Sequence, residues 1–388
     1  MKLLTLFVVP LASARVIGNR HQAPLESPSQ AHKSPASSLP ASAENIAPSI
    51  GVHFTTSYAV AAARYPNGTV QDLGKVLGDA EYIELMSRWM ESYTVPSWGD
   101  DCQKILSSPS NTFETNRFKC NLRNADRRIR RLLGRPTNRD ARTLSKFLVR
   151  ARAAFEAELG EAITTIAPTI FNIRPEEEQD MGDALDFVGL RSARERSRYM
   201  FSGLNTAYVD SEANAAFAGL GMGLCEDWQD DRKCQSQARK NPERTVLYIN
   251  FDNSSLTASA HQFSSPYKGV MYNYIANTDL GWWNLPIFEV PRAKFWTQIH
   301  EAIEKIAGSL WTPPGRIVLM GEHGGDKEFR DVVEAALWGV LEVDVGNMLQ
   351  VNTVEDSLTL AARGAAELAW RHGYKTKKGS AEEVNIEL

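Results

Sequence analysis

The chain has 388 residues, of which 43% are hydrophobic, enough for one large two-lobed domain or two domains. Its 43 Lys and Arg stand against 47 Asp and Glu, a formal net charge of −4, so no global attraction to nucleic acid is expected. Four cysteines, none in a Cys-x-x-Cys pair, exclude a zinc ribbon and a thioredoxin-type site and suit an oxidising compartment.

In chain order, residues 1–14 have the form of a cleavable signal peptide. Lys2 is the positive start, residues 3–12 (LLTLFVVPLA) are apolar, and Ala12-Ser13-Ala14 has the small-x-small pattern of a cleavage site. The apolar run is too short for a bilayer-spanning helix, which needs about 20 residues. Residues 15–48 are rich in Ser, Ala, Pro and polar side chains, with little to bury against the entropy of ordering, and read as a disordered linker. No later stretch predicts a membrane span. The expectation is a soluble monomer in the secretory lumen or outside the cell, with no nucleic-acid partner. In that compartment Asn67 (Asn67-Gly68-Thr69) and Asn253 (Asn253-Ser254-Ser255) are candidate glycosylation sites.

Residues 49–65 form a β-rich run, and Pro66-Asn67-Gly68 followed by Thr69-Val70 predicts a hairpin turn and a second short strand. Residues 119–152 carry about a dozen Lys and Arg against two Asp. Arg127, Arg128, Arg130, Arg131 and Arg135 alternate there with Ile129, Leu132 and Leu133, and a solvated helical face is preferred over an anionic partner. Leu144, Leu148, Ala151, Phe155 and Leu159 recur at helical spacing, Gly160 stops the helix, and the apolar segment 162–171 predicts a buried strand. Helices are expected over 176–190 and 211–224, and strand, polar turn and strand over 244–260. A strand at 316–320, a Gly-containing loop at 321–325 and a helix over 326–341 follow, with a last helix over 357–371. Strands alternating with helices place the chain in the α/β class. Pairing Cys102 with Cys120 and Cys225 with Cys234 would close two short loops, although four cysteines allow three connectivities. The hairpin near residue 50 is echoed near residue 250, as duplicated lobes would produce.

This order of parts resembles the actin-like ATPase superfamily, a duplicated ribonuclease-H-like fold, and most closely the nucleotide-binding domain of the heat-shock chaperones. Residues 50–58 (IGVHFTTSY) resemble the first phosphate loop, I-G-I-D-L-G-T-T-Y, and residues 130–135 (RRLLGR) resemble A-K-R-L-I-G-R, with Arg130 at the position of a catalytic lysine. Residues 162–172 resemble the strand A-V-I-T-V-P-A-Y-F-N, and residues 180–190 the helix after it. Residues 249–255 resemble the second phosphate loop, D-L-G-G-G-T. Val318-Leu319-Met320-Gly321 resembles the adenosine-side L-V-G-G, and residues 361–366 (AARGAA) the closing A-x-G-A-A helix. The resemblance implies a first lobe at 49–205 and a second lobe at 206–388 that includes the closing helix. It also implies an ATP and Mg²⁺ cleft lined by Thr55, Thr56, Ser57, Asp252, Ser254, Ser255, Gly321 and Glu322.

The departures from that pattern sit at the chemistry. The two aspartates that hold the waters of Mg²⁺ in the family are here His53 and Asn250, and His offers no hard oxygen ligand. Asp252, Asn253 and Ser254 stand where glycines let the backbone approach phosphate, and Glu322 replaces the second adenosine-side glycine. The family's Glu falls on Ser211 or Glu212, and the alignment leaves both open. The segment from Asn250 to Gly321 is shorter than the pattern implies, so the upper part of the second lobe is expected to be reduced. The peptide-binding domain of the chaperones is not expected. The implied function is a secreted, fungal-type pseudo-ATPase acting as a binding or interaction protein. The alternative is an enzyme, either with residual ATPase or kinase activity or with new acid–base chemistry at His53, Asp252, Glu322 and His323. No G-x-S-x-G occurs, and His300-Glu301 lacks the second His of a zincin.

Overall fold

A computed structural model describes residues 47–94, 114–193, 209–342, 345–346, 348–350 and 354–384. The signal-peptide segment, residues 15–46 of the linker and Cys102 lie outside the described residues. The described residues form a mixed α/β structure with two mixed sheets and nine α-helices. No described helix is long and apolar enough to cross a membrane.

The first sheet contains β1 (Ser49–Phe54), β2 (Tyr58–Arg64), β3 (Val70–Leu77), β4 (Thr165–Ile170) and β5 (Arg191–Ser192). Its order is β3-β2-β1-β4-β5, and β6 (Asp210–Ser211) also pairs with β4. The second contains β7 (Arg244–Phe251), β8 (Leu256–Ser265), β9 (Lys268–Asn277), β10 (Arg316–Met320) and β11 (Leu349–Gln350), in the order β11-β10-β7-β8-β9. In each sheet three strands meander antiparallel, and the fourth lies parallel to the first on its free side. The two strand orders are the same.

The β-rich run 49–65 is two strands, because Thr55 turns the chain. Its hydroxyl accepts from the Ser57 and Tyr58 amides, both at 3.2 Å, a local turn that ends β1 before β2 can continue it. The predicted Asn-Gly turn joins β2 to β3, with Gly68 at φ 89°.

Helix α1 (Ala80–Thr94), which sequence reading missed, and α3 (Arg139–Leu159) cover one face of the first sheet. Asn138 caps α3, and left-handed Gly160 ends it at the stop read from the sequence. Helix α2 (Glu114–Leu132) is tied to α4 (Pro175–Phe187), where Arg127 bonds both Asp180 and Asp183. Arg127 is buried, so the solvated-face reading fails for it: its guanidinium fork bonds two buried carboxylates, of which Asp183 also accepts from Arg131.

Helix α5 (Glu212–Gly219) is shorter than expected, since Gly221 and Gly223 take positive φ after it. Helix α6 (Asp231–Lys240) carries Cys234, which is bonded to Cys225. Cys120 is disulfide-bonded too. Helices α7 (Glu289–Ala307) and α8 (Lys327–Leu341) cover the outer face of the second sheet.

The last helix, α9 (Val354–Val384), is longer than the predicted 357–371 and packs against β1, β2, β4, β10 and α5. It lies so close that a Cβ on Gly51 would stand 2.1 Å from the Ala362 carbonyl oxygen. Ala62 of β2 and Ala362 of α9 share the buried cluster at this contact, where close backbones favour small side chains.

Candidate functional site

The site lies at the carboxyl ends of β1 and β7, the central strand of each sheet, where antiparallel and parallel neighbours meet. Ligand crevices form at such switch points in open α/β sheets. His53 sits near the end of β1 opposite Val60 and Thr169. Asn250 holds the matching place on β7, opposite Thr257 and Met320.

Glu212 joins them. It is the first residue of α5, where a helix N-terminus favours a carboxylate. Its Oε2 is 3.1 Å from His53 Nε2 and accepts from Asn250 Nδ2 at 3.2 Å, while Oε1 accepts from the Thr257 hydroxyl at 3.4 Å. All four residues are buried. Between Ser211 and Glu212, the chain therefore puts Glu212 in the cluster and leaves Ser211 as the residue before the helix.

Above this floor the turn Thr55–Ser57 meets the turn Asp252–Ser255. The Thr56 hydroxyl lies 2.7 Å from Ser254 Oγ and 2.8 Å from Ser255 Oγ. The Tyr58 hydroxyl donates to Asp252 Oδ1, which also accepts from the Glu322 amide at 3.1 Å. The second turn is clamped from behind, since the amides of Trp282 and Trp283 donate to the carbonyls of Asp252 and Asn253. A Cβ on Gly281 would come within 2.3 Å of the Ser254 backbone, so only glycine fits there.

Burial pushes the Asp252 carboxyl up to about 6 and the negative Glu212 adds to the rise, while the Tyr58 hydrogen bond, the Glu322 amide and His53 oppose it. Burial, then the Asp252 carboxylate, raises the Tyr58 phenol well above its ordinary value, so it stays a neutral donor.

The rim is polar and aromatic. Glu322 accepts from Lys75 and from Asn253 Nδ2. His323 Nε2 stands 2.9 Å from Asn253 Oδ1, and its ring stacks on Trp282 with centroids 4.1 Å apart. Gly321, at φ 90°, closes β10. A Cβ there would lie 2.4 Å from Asn250 Oδ1.

The residues singled out from the sequence thus divide. His53, Thr55, Thr56, Ser57, Asn250, Asp252, Ser254, Ser255, Gly321 and Glu322 come together. Arg130 does not: it is exposed on α2, paired with Asp126 at 2.8 Å. Asn67 is exposed in its turn. Asn253 is only 8% exposed, and its Nδ2 is bound to Glu322, so a glycan on that nitrogen is incompatible with this fold.

Sequence reasoning passed over Tyr58, Lys75 and Thr257 as site residues. One signal was present. Thr257, Ser259 and His261 alternate with Leu256, Ala258 and Ala260 along β8, and all six are buried, so one buried face of the second sheet is polar.

No family model and no curated protein matches the chain. Among the described residues no group of three or more His, Cys, Asp or Glu is placed to hold a metal ion. Chemically, the arrangement is a closed polar seam whose hydroxyls, amides and carboxylates mostly satisfy one another. A phosphate entering between the turns would break the Thr56 contacts and meet the Asp252 and Glu322 carboxyl groups.

Proposed function

We propose that this chain is a secretory-route relative of the heat-shock-chaperone nucleotide-binding domain, with the two-lobed actin-like fold, whose cleft no longer takes Mg-ATP, and that it acts as a binding or interaction protein. Support for the kinship comes from the identical strand order of the two sheets and from the meeting of their first turns. The single observation that carries the loss of nucleotide is the direct bonding of Thr56 to Ser254 and Ser255 across the cleft. Phosphoryl transfer needs metal and donors aimed at phosphate oxygens. Here His53 and Asn250 are spent on Glu212, and the nearest carboxyls repel an anion.

Differential scanning fluorimetry and calorimetry with ATP, with and without Mg²⁺, test this. A ligand at a hundred times its Kd adds about 2.7 kcal/mol of stability, which such a scan detects readily. No shift and no heat of binding are expected. Mg²⁺-dependent binding in the micromolar range would sink the proposal.

One observation favours acid–base chemistry as a second reading. His53 Nδ1 and Asn250 Oδ1 have no protein partner, and Asp252 titrates near 6. Turnover of a small-molecule panel that Asp252→Asn abolishes would turn the choice towards an enzyme.

A further inference from the structure

Helix α2 is amphipathic with its apolar side outward. At 100° per residue, Phe118, Leu122, Ala125, Ile129 and Leu132, with Leu133 just beyond the helix, fall on one face. All of them face solvent, with Phe118 69%, Leu122 62%, Ile129 56%, Leu132 87% and Leu133 62% exposed. The helix is moored by its opposite face, where Cys120 and Arg127 are buried and Arg127 bonds Asp180 and Asp183 of α4. A helix of a globular protein normally turns such a stripe into the core and its arginines to water. This one turns the stripe outward and buries Arg127.

Cations border the stripe on both sides. Arg117 and Arg128 lie along one flank and Lys119, Arg123 and Arg130 along the other, all exposed. The one acid from Arg117 to Arg135 is Asp126, which Arg130 already pairs. We propose that α2 is an interfacial helix by which the protein seats on an anionic lipid surface.

The choice of a lipid surface rests on charge and placement. The stripe lies diametrically opposite the mooring face, so a flat surface meets Phe118, Leu122 and Ile129 together. The flanking arginines and lysine then reach sideways to headgroup phosphates while their stems lie on the acyl boundary. A strongly amphipathic helix of low net hydrophobicity, with a basic polar face and Phe and Leu on the other, is the composition that adsorbs in the interface plane, and anionic headgroups add roughly 1 kcal/mol per Lys or Arg. The helix contributes no residue to the cleft between the turns.

Flotation of the full chain with vesicles gives the test, using phosphatidylcholine alone and phosphatidylcholine with about a third phosphatidylserine. Binding is expected on the anionic vesicles only, weakening as salt is raised. Because their side chains are exposed, Leu122→Ser with Ile129→Ser should leave the Tm unchanged yet lower partitioning by at least about tenfold. Ile129→Leu should retain it, and Arg123→Gln and Arg128→Gln should each cost about fivefold. Equal binding of the stripe variant and the parent chain would overturn the proposal, as would no partitioning onto anionic vesicles at low salt. A stripe variant that only dissociates an oligomer seen in sedimentation would also overturn it, by making the face a protein interface.

Discussion

Asp252, in the turn after β7, and His261, on β8, are both buried and are shifted in opposite directions. Burial lifts Asp252 from an ordinary 3.8 to about 6 and depresses His261 from 6.5 to about 4. Asp252 holds its proton more tightly when folded, so its contribution to stability is fully present below pH 3.8 and is lost as pH rises through 6. His261 must be neutral when folded, so its contribution is present above pH 6.5 and is lost as pH falls towards 4. Each is worth on the order of 3 kcal/mol, and across pH 4–6 they oppose one another. Asp252→Asn keeps the hydrogen bonds of Tyr58 and the Glu322 amide but removes the titration. Its thermal unfolding midpoint, set against the parent chain, should fall more steeply from pH 6.5 to 4. His261→Gln should tilt the same series the other way. Parallel curves for all three proteins would refute both assignments. The residue types at this site were legible in the sequence. Their partners were not, since Glu212 reaches His53 across 159 positions and no local pattern records such a pairing.

At the scale of elements, the crossing of α5 and α9 sets the spacing between helix backbones. A Cβ on Gly364 would stand 1.7 Å from the Ala215 carbonyl oxygen, and one on Gly219 would stand 2.4 Å from that of Leu360. Backbone atoms cannot yield as a side chain can, so Gly364→Ala should cost about 3 kcal/mol or more by overpacking. Chemical denaturation should show the loss in the midpoint with the slope unchanged; a change below about 0.5 kcal/mol would mean the helices slide apart freely. Elements with a clear period were read well, as α3, β4 and α8 show. The missed helix α7 also carries a helical spacing of apolar residues, in Phe295, Ile299, Ile303 and Ile306, but Pro291 obscures its start. Proline in a first turn gives up only an amide that has no helical partner there, so it breaks nothing. Arg127 was misread because charge patterning reports sign and spacing, whereas burial depends on Asp180 and Asp183 from a helix more than fifty positions away.

On the scale of the whole molecule, α9 couples the two sheets. It packs on β1, β2 and β4 of one and on β10 of the other. Further bonds cross between them at Thr56 with Ser254, Tyr58 with Asp252, and Lys75 with Glu322. Calorimetry should therefore give one cooperative transition, with calorimetric and van't Hoff enthalpies in agreement. Two resolved transitions would show that each sheet holds its helices independently.

The sequence by itself determined the α/β class, the turn at Asn67-Gly68 and most strand positions, because hydrophobic period and turn chemistry are local properties of the chain. It also placed polar and acidic residue types at His53, Asn250, Asp252 and Glu322, since residue identity needs no coordinates. Only the tertiary structure decided that Glu212 binds the first two, that the turns close on each other through Thr56, and that α2 faces its apolar stripe outward. Those outcomes depend on which distant surfaces meet. A helical period states that a face exists and is silent on what, if anything, the fold sets against it.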